Sequence, residues 1–400
     1  MESNRSIWRK IGRGTKTLFL GFFPFILMLA LVLHEAEQES SAEPAPPHDV
    51  ASTSPAPEYR EVQFSFGRGY IGDGWQLYFS EPDGSAARES YEGGIETALV
   101  EAILRTRNRL DVAAFEMNSE PIVRALLDAH QRGVVVRIVT DDDHGLHDEA
   151  NEALRNLQAA GLPLVDDGRS GLMHNKFMIL DERSVWTGSW NYTINGAYRN
   201  NNNVLVLEDE WAAAAFQEEF DEMFVRSEFG TRSTDDGIVS FGHAGGEVSL
   251  IFGSEADEVS ALKQEIAGAE RSIHIMTFVF SLEELAEAIL LQAARADLVV
   301  RGIFEKRNST ASWSQLPALH CAGAEMRQDG NRYALHHKVI IIDENTVITG
   351  SFNYSNSAAK RNDENIVIIR NAQIANLYLD EWRRLWDSAS ELPPAEVNCD

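Results

Sequence analysis

Apolar and polar positions fall into blocks along this chain, and one succession of blocks occurs twice. Trp75–Phe79 reads as a strand, Ile95–Arg105 as an amphipathic helix, and Leu110–Phe115 as a second strand. Glu120–Arg132 reads as a helix stopped by Gly133, and Val134–Val139 as a nearly continuous apolar strand of the kind found in parallel sheets. The order returns as Val248–Phe252, Val259–Ala269, Ser272–Phe278, Leu282–Ala294 and Leu298–Phe304. Strand, helix, strand, helix, strand predicts α/β layering with helices on both faces of a sheet. The pattern marks two units, 61–230 and 247–390, a Ser-, Asp- and Gly-rich linker over 231–246, and a tail over 391–400.

Ahead of these units the pattern changes. Thr17–Leu33 is an uncharged apolar run preceded by Arg5, Arg9, Lys10, Arg13 and Lys16. A basic region followed by such a run predicts a signal peptide or signal-anchor helix over 1–33, short for a bilayer span. With the basic residues inside, the body faces outward: exported, and then periplasmic, secreted or tethered to the membrane. Residues 34–60, rich in Pro, Ala, Ser and Glu, have little to bury and read as a disordered spacer.

Within the two units one spacing repeats without an insertion. His174-Asn175-Lys176, Asp181 and Gly188-Ser189-Trp190-Asn191 reappear as His336-His337-Lys338, Asp343 and Gly350-Ser351-Phe352-Asn353, each 162 residues on. The offset carries on through Arg199/Arg361, Asn200/Asn362 and Asn203/Asn365. Val339–Ile342 is β-branched and apolar, which predicts a buried strand. Side chains alternate along a strand, so His336 and Lys338 share one face and Asp343 points to the other. The same parity holds for His174, Lys176 and Asp181. Each copy therefore offers an imidazole beside an ammonium, with the Asp as a structural partner. At the end of a second strand, a hydroxyl (Ser189 or Ser351) and an amide (Asn191 or Asn353) reach the same spot.

One His cannot attack and donate a proton at once, but two can divide the work. A nucleophilic His forms a covalent phospho-His, while a second protonates the leaving oxygen and later activates water. Two Lys and two Asn stabilise the charge that builds on the phosphate oxygens. This chemistry calls for no metal and no cofactor.

His-x-Lys-x4-Asp-x6-Gly-Ser-x-Asn, present twice, resembles the phospholipase D superfamily, and the resemblance runs from about Trp75 to Trp386. It implies two tandem pseudo-symmetric α/β/α lobes, each a mixed, largely parallel sheet flanked by helices, with one site at the seam. Members cleave or transfer phosphodiesters, and some are inactive. The compact repeat is similar to the small bacterial nuclease and cardiolipin-hydrolase branch. The family has an acidic residue in Asn-x-Glu-Asn that bonds the catalytic imidazole. Here the second copy reads Asn362-Asp363-Glu364-Asn365, but the first has Asn202 where Glu is expected. A carboxylate stabilises an imidazolium, whereas an amide only orients the ring. This assigns His336, backed by Glu364, the acid/base role and His174 the nucleophilic one. Low activity because of Asn202, or an inactive scaffold, is the alternative.

Charge bears on the substrate. The net charge is −27, and the body is more acidic still because the first 33 residues are basic. An acidic body repels nucleic acid and anionic membranes, and otherwise serves solubility. The export signal, the tether and the charge favour a phospholipase D that hydrolyses a phospholipid headgroup to phosphatidic acid. The alternatives are a metal-independent endonuclease, which needs a basic groove near Arg199, Arg327, Arg332 and Arg361, and a phosphatidyltransferase of the cardiolipin synthase kind. The expected partners are the phosphodiester substrate and, if the leader is uncleaved, the membrane. With both motifs in one chain, the expected state is a monomer.

Other candidates carry less. Asp141-Asp142-Asp143-His144 with His147, Asp148 and Glu149 suits helix capping better than any standard metal site. His337 alternates away from His336, and His130 and His274 carry no motif. Trp186, Trp190 and Tyr192 either line an apolar mouth or belong to the core. Cys321 and Cys399 are the only thiols, and the sequence leaves their pairing open.

Overall fold

Each repeated block of the sequence builds one large sheet, and the two sheets have nine strands apiece. The structure, a computed structural model, describes residues 58–85, 91–148, 152–233, 237–253, 257–392, 397 and 399. The expected leader over 1–33 and nearly all of the 34–60 spacer lie outside the described residues. Among the described residues no helix is long and apolar enough to cross a membrane.

The first sheet uses β1 (Arg60–Phe64), β2 (Gly67–Ile71), β3 (Trp75–Ser80), β4 (Arg109–Ala114), β5 (Val135–Thr140), β6 (Leu164–Asp166), β7 (Lys176–Leu180) and β8 (Ser184–Gly188). After a two-residue strand, β9 (Asn200–Asn201), β10 (Asn203–Leu207) completes it in the order β1-β2-β3-β10-β8-β7-β4-β5-β6. The second sheet takes β11 (Val239–His243), β12 (Gly246–Phe252), β13 (Ser272–Thr277), β14 (Val299–Phe304) and β15 (Glu325–Gln328). Beyond β16 (Ala334–Leu335), which lies outside it, come β17 (Lys338–Ile342), β18 (Thr346–Gly350), β19 (Asn365–Arg370) and β20 (Ser390–Glu391). Their order, β11-β12-β19-β18-β17-β13-β14-β15-β20, matches the first sheet except at its ends.

The sheets are mixed, but they are not largely parallel. Within the two nine-stranded sheets, parallel pairing is confined to β4–β5–β6 and β13–β14–β15. Parallel neighbours need a crossover, and helices such as Glu120–Gln131 and Glu283–Ala293 supply it there. Elsewhere hairpins dominate. The β7–β8 and β17–β18 turns have positive φ at both central residues, Asp181-Glu182 (50° and 59°) and Asp343-Glu344 (54° and 58°). Such turns match strand twist and impose antiparallel pairing.

Two boundaries also differ from the sequence reading. The expected linker contains β11, whose Val239 and Phe241 alternate with polar and small residues, a strand period hidden by Gly and Ser. The expected tail begins inside β20, which pairs with β15, and Cys399 forms a disulfide with Cys321.

One core spans both halves. Helices Glu210–Asp221 and Ala372–Ser388 place Phe216, Phe220, Tyr378 and Trp382 among Phe177 of the first sheet and Phe252 and Val367 of the second. Full burial of a side chain of this size contributes about 1.5–3 kcal/mol. The outer faces have cores of their own, around Leu99, Ile103 and Leu126 and around Leu262, Ile266 and Leu285.

The seam positions the site. β9 pairs with β16 in parallel, Asn200 with Ala334 and Asn201 with Leu335. The N–H of His336 donates to the Asn201 carbonyl at 2.9 Å, and that of His174 donates to the Asp363 carbonyl at 3.0 Å. Each motif histidine is thus pinned by the polar run of the other copy.

Candidate active site

The two hairpins are anchored at their far ends by the motif aspartates. The Asp181 carboxylate accepts from the N–H groups of Arg107 (3.0 Å), Asn108 (2.7 Å) and Arg109 (3.1 Å). Burial opposes its charge, but these three bonds hold its pKa below the ordinary value. The Asp343 carboxylate accepts in the same way from the N–H groups of Glu270, Arg271 and Ser272. At the near end, Gly188 and Gly350 take φ of 141° and 134°. A Cβ there would run into the carbonyls of Asn203 and Asn365, so only glycine fits.

Ser189 and Ser351, which follow, are fully buried connectors. Ser189 Oγ donates to Asn202 Oδ1 (2.9 Å) and accepts from Asn203 N–H (3.1 Å). Ser351 Oγ donates to Glu364 Oε2 (2.6 Å) and accepts from Asn365 N–H (2.9 Å). Neither hydroxyl is spare.

The imidazole partners are exchanged between the copies. His174 Nδ1–H donates to Glu364 Oε2 at 2.8 Å. His336 Nδ1–H donates to Asn202 Oδ1 (2.9 Å) and to the Ser189 carbonyl (3.0 Å). The pairing of His336 with Glu364 expected from the sequence is therefore wrong. Glu364 lies in the copy of His336 but backs His174, because the seam delivers each polar run to the opposite half. Both rings line one cleft of about 550 Å³, together with Asn191. With Nδ1 occupied, each ring has Nε2 left for the cleft.

Burial depresses both imidazoles. His174 falls to about 4, with the Glu364 charge opposing the fall. His336 falls well below its ordinary value, and Lys338, Lys176 and His174 push it the same way. Glu364 is held below its usual range, since His174 and Lys176 outweigh its burial. Lys176 and Lys338 are buried too, each Nζ donating to the carbonyl of its own copy's histidine (2.5 and 2.9 Å) over a phenylalanine ring, Phe115 or Phe278. Burial takes Lys176 to about 8 and Lys338 well below its ordinary value. Asn191 Nδ2 donates to Glu116 at 3.1 Å, while the Asn353 Oδ1 is buried without a hydrogen-bond partner.

Several residues of the site escaped the sequence reading. Phe115 and Phe278 stand at equivalent places beyond β4 and β13, with ring centroids 4.8 Å from His174 and His336 respectively. Glu219 and Glu381 repeat at the motif offset of 162 and could have been found by it. They carry a polar layer beneath the site. Asn175 Nδ2 donates to Glu219 (2.7 Å), and buried His337 faces Glu381 (3.4 Å) while accepting from Asn203 Nδ2 (3.0 Å). His337 is thus structural, as its parity suggested. Arg199, Arg307, His144 and Tyr333 also line the cleft, whereas Arg361 bonds to Ser170.

The remaining candidates settle as follows. Trp186, Trp190 and Tyr192 are core residues and line no mouth. Ligand atoms of Asp141, Asp142 and Asp167 lie within 4.8 Å of one another, but each carboxylate already accepts a backbone N–H, from His144, Asp143 and Asp142 respectively. This is loop capping, as expected for the segment, and Glu149 lies outside the described residues. Burial and neighbouring Asp141 raise Asp167 to about 7.

A family model described as "Cardiolipin synthase, PLD-like domain" matches residues 99–224 and 262–386. The chain belongs to this family. It is a member of the phospholipase D superfamily with two PLD-like segments in one polypeptide. It is 37% identical over 139 residues to the mitochondrial cardiolipin hydrolase of Xenopus laevis, covering 35% of this chain and 64% of that protein. It is 36% identical over 135 residues to a phospholipase D of Rickettsia prowazekii (strain Madrid E), covering 34% of this chain and 65% of that one. Both matches span less than two thirds of the relative. Phosphatidylserine synthase of Haemophilus influenzae Rd KW20 shares the fold, with a TM-score of 0.58 at 13% identity over 76% of this chain and 86% of that one.

Proposed function

We propose that the protein hydrolyses phosphodiesters through a phospho-His intermediate, a reading carried by two imidazoles that open onto one cleft with their Nδ1 atoms occupied. His174 Nε2 attacks phosphorus, and the positive charge that develops on its ring is stabilised by Glu364. The P–O bond to the leaving group breaks as His336 gives its Nε2 proton to the departing oxygen. Water then attacks phosphorus, His336 takes its proton, and His174 leaves neutral. Lys176, Lys338, Asn191 and Asn353 supply the N–H donors among which the phosphate oxygens carry charge.

A phospholipid headgroup is the first substrate, with phosphatidic acid as product, because the similar curated proteins are named cardiolipin hydrolase and phospholipase D. The Cys321–Cys399 disulfide and the N-terminal apolar run both support an exported enzyme. A single nucleic-acid strand is the second reading, favoured by Arg199 and Arg307 with Phe115, Phe278 and Tyr333 along the cleft. Phosphatidyl transfer would use the same intermediate with an alcohol in place of water.

The test is turnover of phosphatidylcholine vesicles and of single-stranded DNA, in chelator, beside His336→Ala. Headgroup release that the variant loses supports the lipid reading. DNA cleavage alone would replace it with the second, and loss of all activity in chelator would sink a mechanism without metal.

A further inference from the structure

One carboxylate stands in the cleft, and the proposed mechanism does not use it. Glu116 follows Phe115 just beyond β4 and lines the cleft with His174 and Asn191. Among the described residues that line the cleft it is the only acid. Its Oε2 accepts from Asn191 Nδ2 at 3.1 Å. Its charge also reaches Lys176, whose pKa burial lowers to about 8 while Glu364, Glu116 and Asp141 oppose the fall. Glu116 thus acts on two of the four donors that surround the phosphate.

The second copy is built otherwise. The N–H of Phe115 donates to the Asn175 carbonyl at 3.2 Å, and that of Phe278 to the His337 carbonyl at 2.9 Å. The two phenylalanines are therefore equivalent, and so are the residues that follow them, Glu116 and Val279. The Asn191 side of the cleft has a carboxylate at this place, and the Asn353 side has an apolar side chain.

An acid beside a phosphate opposes binding, and here the opposition grows as the reaction proceeds. An amide NH2 has two hydrogens. With one on Glu116, Asn191 has the other for a phosphate oxygen, which sets that oxygen about 5 Å from the carboxylate. A phosphodiester has one negative charge. When water opens the phospho-His, its oxygen joins phosphorus, His174 leaves, and His336 takes one proton of the water. The other proton stays on the product as P–OH and passes to solvent, so near neutral pH the monoester is mostly a dianion. Repulsion by the carboxylate then falls about twice as heavily on product as on substrate.

We infer that Glu116 expels the product: it tolerates the singly charged diester and drives out the doubly charged monoester. Lipid and nucleic-acid substrates alike leave such a monoester. This role rests on the phospho-His reading, which sets the phosphate between Asn191 and the imidazoles.

The experiment measures Kd for methyl phosphate and for dimethyl phosphate by phosphorus NMR on the full chain. At about pH 7.5 the first is mostly a dianion and the second a monoanion. Glu116→Gln keeps an acceptor for Asn191 and removes the charge. It should lower the ratio of the two Kd values, monoester over diester, at least about tenfold. Glu116→Asp keeps the charge and should leave the ratio within about twofold. A ratio that Glu116→Gln leaves unchanged or raises would show that the carboxylate only orients Asn191, and would overturn the inference. Asn191→Ala keeps the two possible failures apart. If it weakens both ligands, phosphate lies where the phospho-His reading sets it, and the ratio alone decides for or against Glu116. If it weakens neither, the phosphate lies elsewhere, and that placement falls together with the inference.

Discussion

His174 and His336 occupy equivalent places in two copies of one motif, yet one leans on a carboxylate and the other on an amide. Glu364 accepts from His174, Ser351 and Asn362 (2.8, 2.6 and 3.0 Å), three bonds that suit a charged group. The oxygen of Asn202 takes His336 and Ser189, and its NH2 donates to the Gly196 carbonyl at 3.0 Å. Both imidazoles are equally enclosed, so the difference is one of charge. The ring on Glu364 becomes cationic next to a counter-charge, whereas the ring on Asn202 carries its proton with no counter-charge behind it. One residue earlier the contrast repeats. Asp363 is bonded to Arg169 across the seam, while the equivalent Asn201 accepts from the Asn331 amide at 2.7 Å. Both carboxylates of the second polar run thus serve the first copy's side of the seam, and the first run returns only amides.

The largest effect should come from His174→Ala, which removes the attacking atom and should lower kcat at least about a thousandfold. His336→Ala should cost about 10²–10⁴ with an alkoxide leaving group and far less with p-nitrophenolate, which departs without a proton. Equal losses on both leaving groups would reverse the two roles. Glu364→Gln should follow at about 10², seen in single-turnover formation of the phosphoenzyme, because it makes the two halves alike. The next effect is on pH. His336 acts only when protonated, so the rate should fall as pH rises above its depressed pKa, and His174 should impose the opposite limb near 4. Asn202→Glu supplies the missing charge and should move the falling limb up by about one unit or more. An unmoved limb would show that His336 is not the acid. The smallest effect is on stability. Arg169→Gln leaves Asp363 buried and unpaired and should cost about 3 kcal/mol in urea unfolding. Asn331→Ala, on the uncharged side, should cost about 1 kcal/mol.

The motif spacing was enough to locate both hairpins, both imidazoles and the capping aspartates, because those features depend on residues close in sequence. The strand and helix blocks were legible for the same reason. The partner of each imidazole was not. Glu364 follows His336 by 28 residues and His174 by 190, and only the parallel bridge of Met173 with Asp363 across the seam shows that the longer separation is the contact. His144 and Arg307 were hidden differently, since the first stood in an acidic run that reads as helix capping and the second in no motif at all. β11 was lost because Gly and Ser around it imitate a linker. The net charge of the chain described its solvated exterior and said little about the few side chains that line the cleft.

The exchange across the seam has a consequence for how such a protein changes over generations. Two separate, identical copies meeting as a symmetric pair would carry the same residue behind both imidazoles, and one mutation from Glu to an amide would strike both at once. Here the copies are encoded apart, 162 residues from each other, so each is free to drift alone. Position 202 carries an amide while position 364 carries an acid. Fusion turns what would be an all-or-nothing lesion into specialisation of one partner.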